Sequence, residues 1–320
     1  MTRVAGGTSL TFTEPHQFQG RIRPAEVQVV PTRRGDFRAS LSQMNLHRLT
    51  VQRGWQSLPA VARATLDATR GSIMFHTGDD TSAVRIDGID LVPDILALGA
   101  PGEEHFLRTT SECSWATLTF TPETYAAARA TLIGDDIASP LQTSAIRPSA
   151  TAMARLRLLH RQVMAFVPGA SNLALHPDVL HAAEQSLLVA VVDCLAGNGD
   201  DTARPFGDRN STAVMRRFSE LLEQSRGQPL YLIEVCAWIG VSRRTLHNAC
   251  VEHLGLSPHR FLWLRRMQLA RQALLAVPPR GGSVTQIAME LGFWELGRFA
   301  GHYKHLFGEP PSVTLGRRRR

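Results

Sequence analysis

The strongest constraint on this chain is a pattern that occurs twice in its last third, about fifty residues apart: a short apolar helical stripe, a glycine, then a second amphipathic helix. The first copy runs from Leu232 to Val251 and the second from Val284 to Lys304. In the first, Leu232, Val235, Cys236 and Ile239 fall at i, i+3, i+4 and i+7, which is one face of a short helix. Gly240 supplies the left-handed backbone for a sharp exit, Val241 packs into the turn, and Ser242 is placed to cap the next helix. In that second helix Leu246, Ala249 and Cys250 point inward. Arg244, His247, Asn248 and Val251 point outward, with Arg243 and Thr245 at the flanks. Such a helix offers side-chain donors of the kind that read base edges in a DNA major groove.

The later copy repeats the scheme with one more residue in the turn. Ser283 followed by Gln286 has the spacing of a capping box. Ile287, Ala288 and Leu291 form the buried stripe, Gly292 turns the chain and Phe293 plugs the turn. Phe299 and Tyr303 then anchor a helix whose Arg298, Gly301, His302 and Lys304 face out or lie along its edges. Between the copies, Ser257-Pro258 opens a helix in the favoured cap-then-proline order, and it runs to a stop before Pro278-Pro279. A stiff connecting helix would hold the two outward faces toward successive major-groove segments. A single glycine between amphipathic helices is equally well explained as an ordinary helical hairpin. Two copies with matched spacing, surplus arginine and a linking helix favour a DNA reader.

At this point the residues resemble a family. The stretch from about 211 to 315 is similar to the double helix-turn-helix domain of the AraC/XylS transcription regulators. The likeness is carried by Ile287-Ala288, Gly292-Phe293, Phe299, Tyr303-Lys304, Phe307-Gly308 and Pro311-Ser312. The stretches 241–246 and 292–299 look most like the subset containing the ethanolamine-utilisation and benzoate regulators. The resemblance implies binding to promoter DNA, usually activation through contact with RNA polymerase, and no enzymatic activity and no cofactor. It places Ser242, Arg243, Arg244, Thr245, His247 and Asn248 at the first DNA-reading helix. Arg298, His302 and Lys304 fall on the second, and Arg266 and Arg271 match basic positions of the linking helix. Gly297 and Gly301 stand where many members carry a small polar and a basic residue, so the second helix should read fewer bases. Glu295, near the start of that helix, suits either a cytosine amino group or the positive end of the helix dipole.

Charge is divided in the same sense. Residues 1–203 carry 17 Lys+Arg against 20 Asp+Glu, a net −3, whereas residues 204–320 carry 18 against 8, a net +10. A localised cationic excess of this kind drives salt-dependent phosphate binding. Lys304 is the only lysine, and the arginine bias suits bidentate contacts as well as it suits a biased genome. Cys113, Cys194, Cys236 and Cys250 show no paired spacing, which fits a reduced cytoplasm, with the chromosome as the place of work. No signal peptide is expected. The most apolar run, Leu187 to Ala196, is short and interrupted by Asp193, so no membrane span is expected either. The Arg317–Arg320 run reads as a solvated tail.

The first two hundred residues read differently. Short strands punctuated by Gly, Pro and Asp are expected at 26–30, 36–43, 45–53, 61–67, 72–77, 83–86, 94–98, 105–109 and 115–120. Helices are expected at 122–132, 149–166 and 177–196. In the last, Leu180, Leu187, Leu188, Val191, Val192 and Leu195 make a stripe broad enough for a domain core or for a dimer seam. Regulators of the family commonly pair a cupin-like sensing barrel with such helices, which implies a small-molecule effector and a homodimer. The chain is therefore expected to be α+β. Residues 1–196 would form a β-rich, cupin-like barrel with dimerisation helices (β-rich 26–120, helical 122–196). A linker over 197–210 would lead to an all-α double helix-turn-helix domain over 211–320.

A barrel also invites a metalloenzyme reading, but the region offers only scattered His16, His47, His76 and His105. Glu103-Glu104-His105 is expected at a surface turn. His247, Cys250 and His253 have helical spacing that could suit zinc, but Cys250 is needed in the core. Two alternatives remain beside the regulator: a cupin-type small-molecule enzyme with a basic nucleic-acid-binding tail, and a non-specific architectural DNA binder.

Overall fold

The structure is a computed structural model that describes residues 6–77, 84–133, 143–167, 176–196, 209–225, 228–276 and 282–316. The first half contains two antiparallel sheets. One runs in the order β1 (Gly6–Phe12), β3 (Ala39–Asn45), β4 (Thr50–Gln56), β11 (Cys113–Phe120), β6 (Gly71–His76), β9 (Leu96–Gly99) and β12 (Ser144–Ile146). The other runs β2 (Ala25–Pro31), β5 (Ala60–Leu66), β10 (Glu104–Thr109), β7 (Val84–Ile86) and β8 (Ile89–Leu91). A short α1 (Pro15–Gln19) follows the first strand, and α2 (Pro122–Ile133), α3 (Ala150–Ala165) and α4 (Pro177–Ala196) follow the sheets. The remainder is helical: α5 (Arg209–Gln224), α6 (Leu232–Ile239), α7 (Arg243–Leu254), α8 (Pro258–Ala276), α9 (Val284–Glu290), α10 (Leu296–Phe307) and α11 (Pro311–Gly316).

The elements stack as layers, and strand alternation decides which side chain serves which layer. On β11, Ala116, Leu118 and Phe120 turn outward into a core with Leu156, Leu187 and Val191 of α3 and α4. Trp115 turns inward toward the other sheet, into a core that includes Phe37, Ala39 and, from that sheet, Val84. A Cβ on Gly54 would lie 2.2 Å from the Trp115 ring, so β4 needs glycine there to let the indole lie flat across it. The second sheet is covered on its far side as well. Val30, Val61 and Phe106 belong to one core with Val214, Phe218, Leu246 and Leu254 of the C-terminal helices. The chain thus buries its β-rich half between two sets of helices.

The expected stripe on α4 is spent inside the chain: Leu187, Leu188, Val191 and Val192 are buried, and Leu180 and Leu195 pack against the same cluster. Among the described residues α4 is the one helix long and apolar enough to cross a membrane, and here its apolar face packs on α2 and α3. Buried Glu184 ties the helix to the sheet, accepting from the backbone N–H of Arg48 at 2.6 Å and from its Nε at 2.9 Å.

Two strand expectations shift. The segments 36–43 and 45–53 become β3 and β4, joined by a turn closed by Leu46 N–H donating to the Leu49 carbonyl at 2.8 Å. Leu46 and Leu49 are buried in the turn itself, so their apolar spacing imitates a strand. Strands β1, β8 and β12 were not expected. β1 is a polar edge strand whose exposed Thr8 and Ser9 give no alternation to detect. The proposed linker, 197–208 for the most part, lies outside the described residues.

His160 of α3 is 3% exposed and hydrogen-bonds the Gln52 carbonyl through Nε2 at 3.0 Å. Burial holds its pKa down, to about 4 against an ordinary 6.5. The folded state therefore keeps this ring neutral, whereas the unfolded chain takes up a proton once the pH falls below about 6.5. The stability it contributes is present above pH 6.5 and is lost as pH falls toward 4. Chemical denaturation at pH 7 and pH 4 should show wild type losing about 3 kcal/mol more than His160→Gln. Equal losses in the two proteins would contradict this assignment.

Candidate nucleic-acid interface

Each repeated unit is built as a local device. In the first, α6 ends at Gly240, whose φ of 73° lets its N–H reach back to the Cys236 carbonyl. Ser242 caps α7, its hydroxyl accepting from the Thr245 N–H at 3.1 Å. Leu246, Ala249, Cys250 and Leu254 are buried, which turns Arg243, Arg244, His247 and Asn248 into solvent, with Thr245 half-buried beside them. These side chains make a contiguous face of donors. Cys250 sits 4.0 Å from the Met215 sulfur, and burial pushes its thiol up to about 12, so it serves as core.

The second unit repeats this with an aromatic wedge. Gly292 takes a φ of 75°, and Phe293 packs on Phe299 with ring centroids 4.8 Å apart. Phe299 and Tyr303 are buried, and the Tyr303 hydroxyl donates to Thr314 at 2.9 Å. Ser283 does cap α9, accepting from the Gln286 N–H at 3.1 Å. The reciprocal half of the expected capping box is not made, because the Gln286 amide donates instead to Glu290 at 2.9 Å. Gly297 and Gly301 have open space where a Cβ would be, leaving bare backbone on the exposed face of α10.

The expected site residues separate into groups. Arg298 and Lys304 are exposed on α10 with His302, whose ring lies edge-on to Trp263 at 5.7 Å. Arg298 pairs with Glu295 at 2.6 Å, so the acid at the helix start is engaged within the chain. Arg266 of α8 is half-buried and lies over the Phe293 ring at 5.2 Å, supporting the turn. Arg271 does not join the exposed face. It is buried, donating to both Glu14 oxygens at 2.8 and 2.6 Å and to Glu309 at 3.3 Å. The two carboxylates raise its pKa against the opposing effect of burial. Helical spacing placed Arg271 on a helix but could not show that Glu14, 257 residues away, closes over it. Sequence reasoning also missed Trp294, 82% exposed just before α10, and the Arg260 guanidinium over the Trp263 ring at 4.4 Å.

The zinc spacing resolves differently from its pattern. His247 is exposed, whereas His253 is fully buried next to Leu254, on the inward stripe with Leu246, Ala249 and Cys250. Among the described residues no group of three or more His, Cys, Asp or Glu is placed to hold a metal ion. The surface turn expected for Glu104-His105 is overturned. Both lie in β10, and His105 is buried. The two residues before it are acidic, but pairing of β10 with β5 and β7 on either side places the strand inside its sheet.

β10 has two faces with different duties. His105, Leu107 and Thr109 line a largely apolar cavity of about 130 Å³ between the sheets, with Phe18, Val29, Met74 and Trp115. Glu104, Phe106 and Arg108 face the C-terminal helices. Phe106 meets the His253 ring edge-on at 6.1 Å. Arg63 of β5, 4% exposed, donates to Glu104, Ser219 and Glu223 at 2.9, 2.6 and 2.7 Å. At the junction stands Asp87, in the two-residue Asp87-Gly88 turn between β7 and β8, with φ of 45° and 86°. Its carboxylate accepts from the Phe106 N–H at 2.8 Å and from His105 Nδ1 at 2.7 Å, and lies 3.8 Å from Nδ1 of His253. Burial pushes the Asp87 carboxyl up, but the histidines and the Phe106 N–H outweigh it and hold it low.

These features define a double helix-turn-helix module fused to a two-sheet β domain. Residues 235–317 match a family described as a helix-turn-helix domain. The chain is 36% identical over 163 residues to a probable thc operon regulatory protein of Rhodococcus erythropolis, covering 48% of each. It is 32% identical over 99 residues to a XylDLEGF operon transcriptional activator of Pseudomonas putida, covering 31% of each. A solved structure of a probable AraC family transcriptional regulator from Rhodopseudomonas palustris aligns at 36% identity, over 33% of this chain and 96% of that one, with a TM-score of 0.29. The matched part spans about half the length of the first relative and under a third of the second. Over its C-terminal part the chain carries a helix-turn-helix domain similar to that of AraC-type transcription regulators.

Removing one member of a buried ion network strands the others in a low-dielectric site, which typically costs about 3–5 kcal/mol. Arg271→Met should lower the free energy of urea unfolding by that amount, because Glu14 and Glu309 lose the guanidinium that balances their charge. The salt dependence of DNA binding by the folded variant should match wild type. A slope reduced by about one would instead assign Arg271 to phosphate.

Proposed function

We propose that this chain is a sequence-specific DNA-binding transcription regulator, an activator that responds to a small-molecule effector. In this reading residues 1–196 sense and self-associate, 197–210 link, and 211–320 read the promoter. The observation that carries it is the α7 face: four exposed polar and cationic side chains, Arg243, Arg244, His247 and Asn248, on a helix fixed by the Ser242 cap and four buried residues. The net +10 of residues 204–320 supplies the attraction to phosphate, and the α7 side chains supply readout.

Arg298, His302 and Lys304 form the second, sparser contact face, and Arg266 acts by holding the Phe293 turn. The largely apolar cavity behind β10 supports an effector site. Contact with RNA polymerase, a homodimer and work in the cytoplasm on the chromosome complete the proposal, as the family resemblance implies.

Genomic footprinting of the full chain tests the reading, with discrete protected promoters as the expected result. Protection without preference between promoter and random DNA would mark an architectural binder instead. On a protected fragment, Arg244→Ala should weaken binding by about 1–3 kcal/mol and relax preference at one base position. Uniform weakening across unrelated sequences would place Arg244 on phosphate.

A further inference from the structure

The inter-sheet cavity is apolar along most of its wall; of its polar groups, Gln56 donates to Thr109 and Thr117 to Gln52, which leaves a second polar corner. Ser72, Thr119 and His105 converge there, 8%, 4% and 7% exposed, beside Gly99. A Cβ at Gly99 would lie 2.8 Å from the Ser72 hydroxyl and 3.0 Å from His105 Nε2, so glycine at this position keeps the corner open. The Thr119 hydroxyl is buried and has no hydrogen-bond partner among the described residues. A buried hydroxyl left in that state is costly, and a ligand atom can satisfy it. Among the described residues no acid lines the cavity, and the one arginine that does, Arg23, is exposed. His105 is already matched by Asp87 at 2.7 Å, so an ionised ligand would enter a largely apolar cavity without a counter-charge. At about 130 Å³ the space suits a molecule near the size of benzene.

The same histidine leads out of the cavity. From His105 the path runs through Asp87, which also holds the β10 backbone, to His253 at 3.8 Å, and from His253 Nε2 to the Ser211 hydroxyl at 3.0 Å. His253 is on α7, the helix that carries Arg244 and Asn248. A ligand that shifts the His105 ring shifts the carboxylate that both histidines face.

We propose that the cavity takes a small uncharged ligand, an apolar body bearing one hydrogen-bonding group seated on Ser72, Thr119 and His105, and that its occupancy reaches the first DNA-reading helix through Asp87 and His253. This rests on the reading of the cavity as the effector site and names both the ligand class and the route of regulation.

The test uses the full chain, labelled with ¹⁵N in its histidine rings, and three probes of similar size: benzyl alcohol, toluene and benzoate. Benzyl alcohol should bind one to one, at least tenfold more tightly than either of the others, and should move the ring signals of both His105 and His253. In Asp87→Asn, which keeps an acceptor for the Phe106 N–H, benzyl alcohol should still bind and move His105 while leaving His253 unmoved. Thr119→Val should weaken benzyl alcohol about tenfold and leave toluene unchanged. Preference for toluene or benzoate, or no binding of benzyl alcohol, would overturn the ligand class. A His253 shift that persists in Asp87→Asn would overturn the route. Footprinting of the same preparation separates this from the broader reading. Expected probe behaviour without protected DNA sinks the regulator and keeps the pocket; protected DNA without probe binding does the reverse.

Discussion

The architecture depends on β10 being covered on both sides. A strand sends alternate side chains to opposite faces, so every inward residue of β10 packs within the β-rich half and every outward one against the C-terminal helices. Phe106 and Val61 share a core with α5 and α7, and those helices cannot swing away without exposing them to water. Arg63 reinforces the contact, because a guanidinium that is 4% exposed is matched by Glu104 on the neighbouring strand and by Ser219 and Glu223 across the boundary. Cavity and reading helix are thereby held within one strand's thickness of each other.

Arginine serves two purposes here, and composition alone does not separate them. Arg243, Arg244 and Arg298 are exposed on the helices that follow the two turns. Arg63, Arg265 and Arg271 are buried and act as struts. Arg265 donates to the Leu222 carbonyl and the Ser225 hydroxyl, and burial with Arg63 nearby brings its pKa down to about 10. Arg271 clamps Glu14 near the N-terminus to Glu309 beyond α10. Some of the positive charge in the C-terminal segment is therefore neutralised within the fold, and the field presented to phosphate is weaker than the count of arginines suggests.

The C-terminal third was legible because its determinants are local. Stripe, glycine, cap and anchor all lie within a few residues of one another, and the 3.6-residue period assigns inside and outside directly. Thus Leu246, Ala249, Cys250, Phe299 and Tyr303 are buried where the spacing places them. The β-rich half was legible as a class but less so in detail. The turn leucines Leu46 and Leu49 counterfeited strand, and polar β1 gave no alternation. His105 was misplaced to the surface because a Glu-Glu-His run reads as solvated until its strand is found at mid-sheet.

By itself the sequence determined two helix-turn-helix units on a common plan, a donor-rich face on the first and a depleted one on the second. A helical period and a capping serine need no distant partner to act. Only the tertiary structure decided which charged groups remain free, since Glu14 reaching Arg271 and Asp87 reaching His253 join residues far apart in the chain. Pairing energies of that kind depend on burial and a few tenths of a nanometre of distance, and neither is written in the order of the residues.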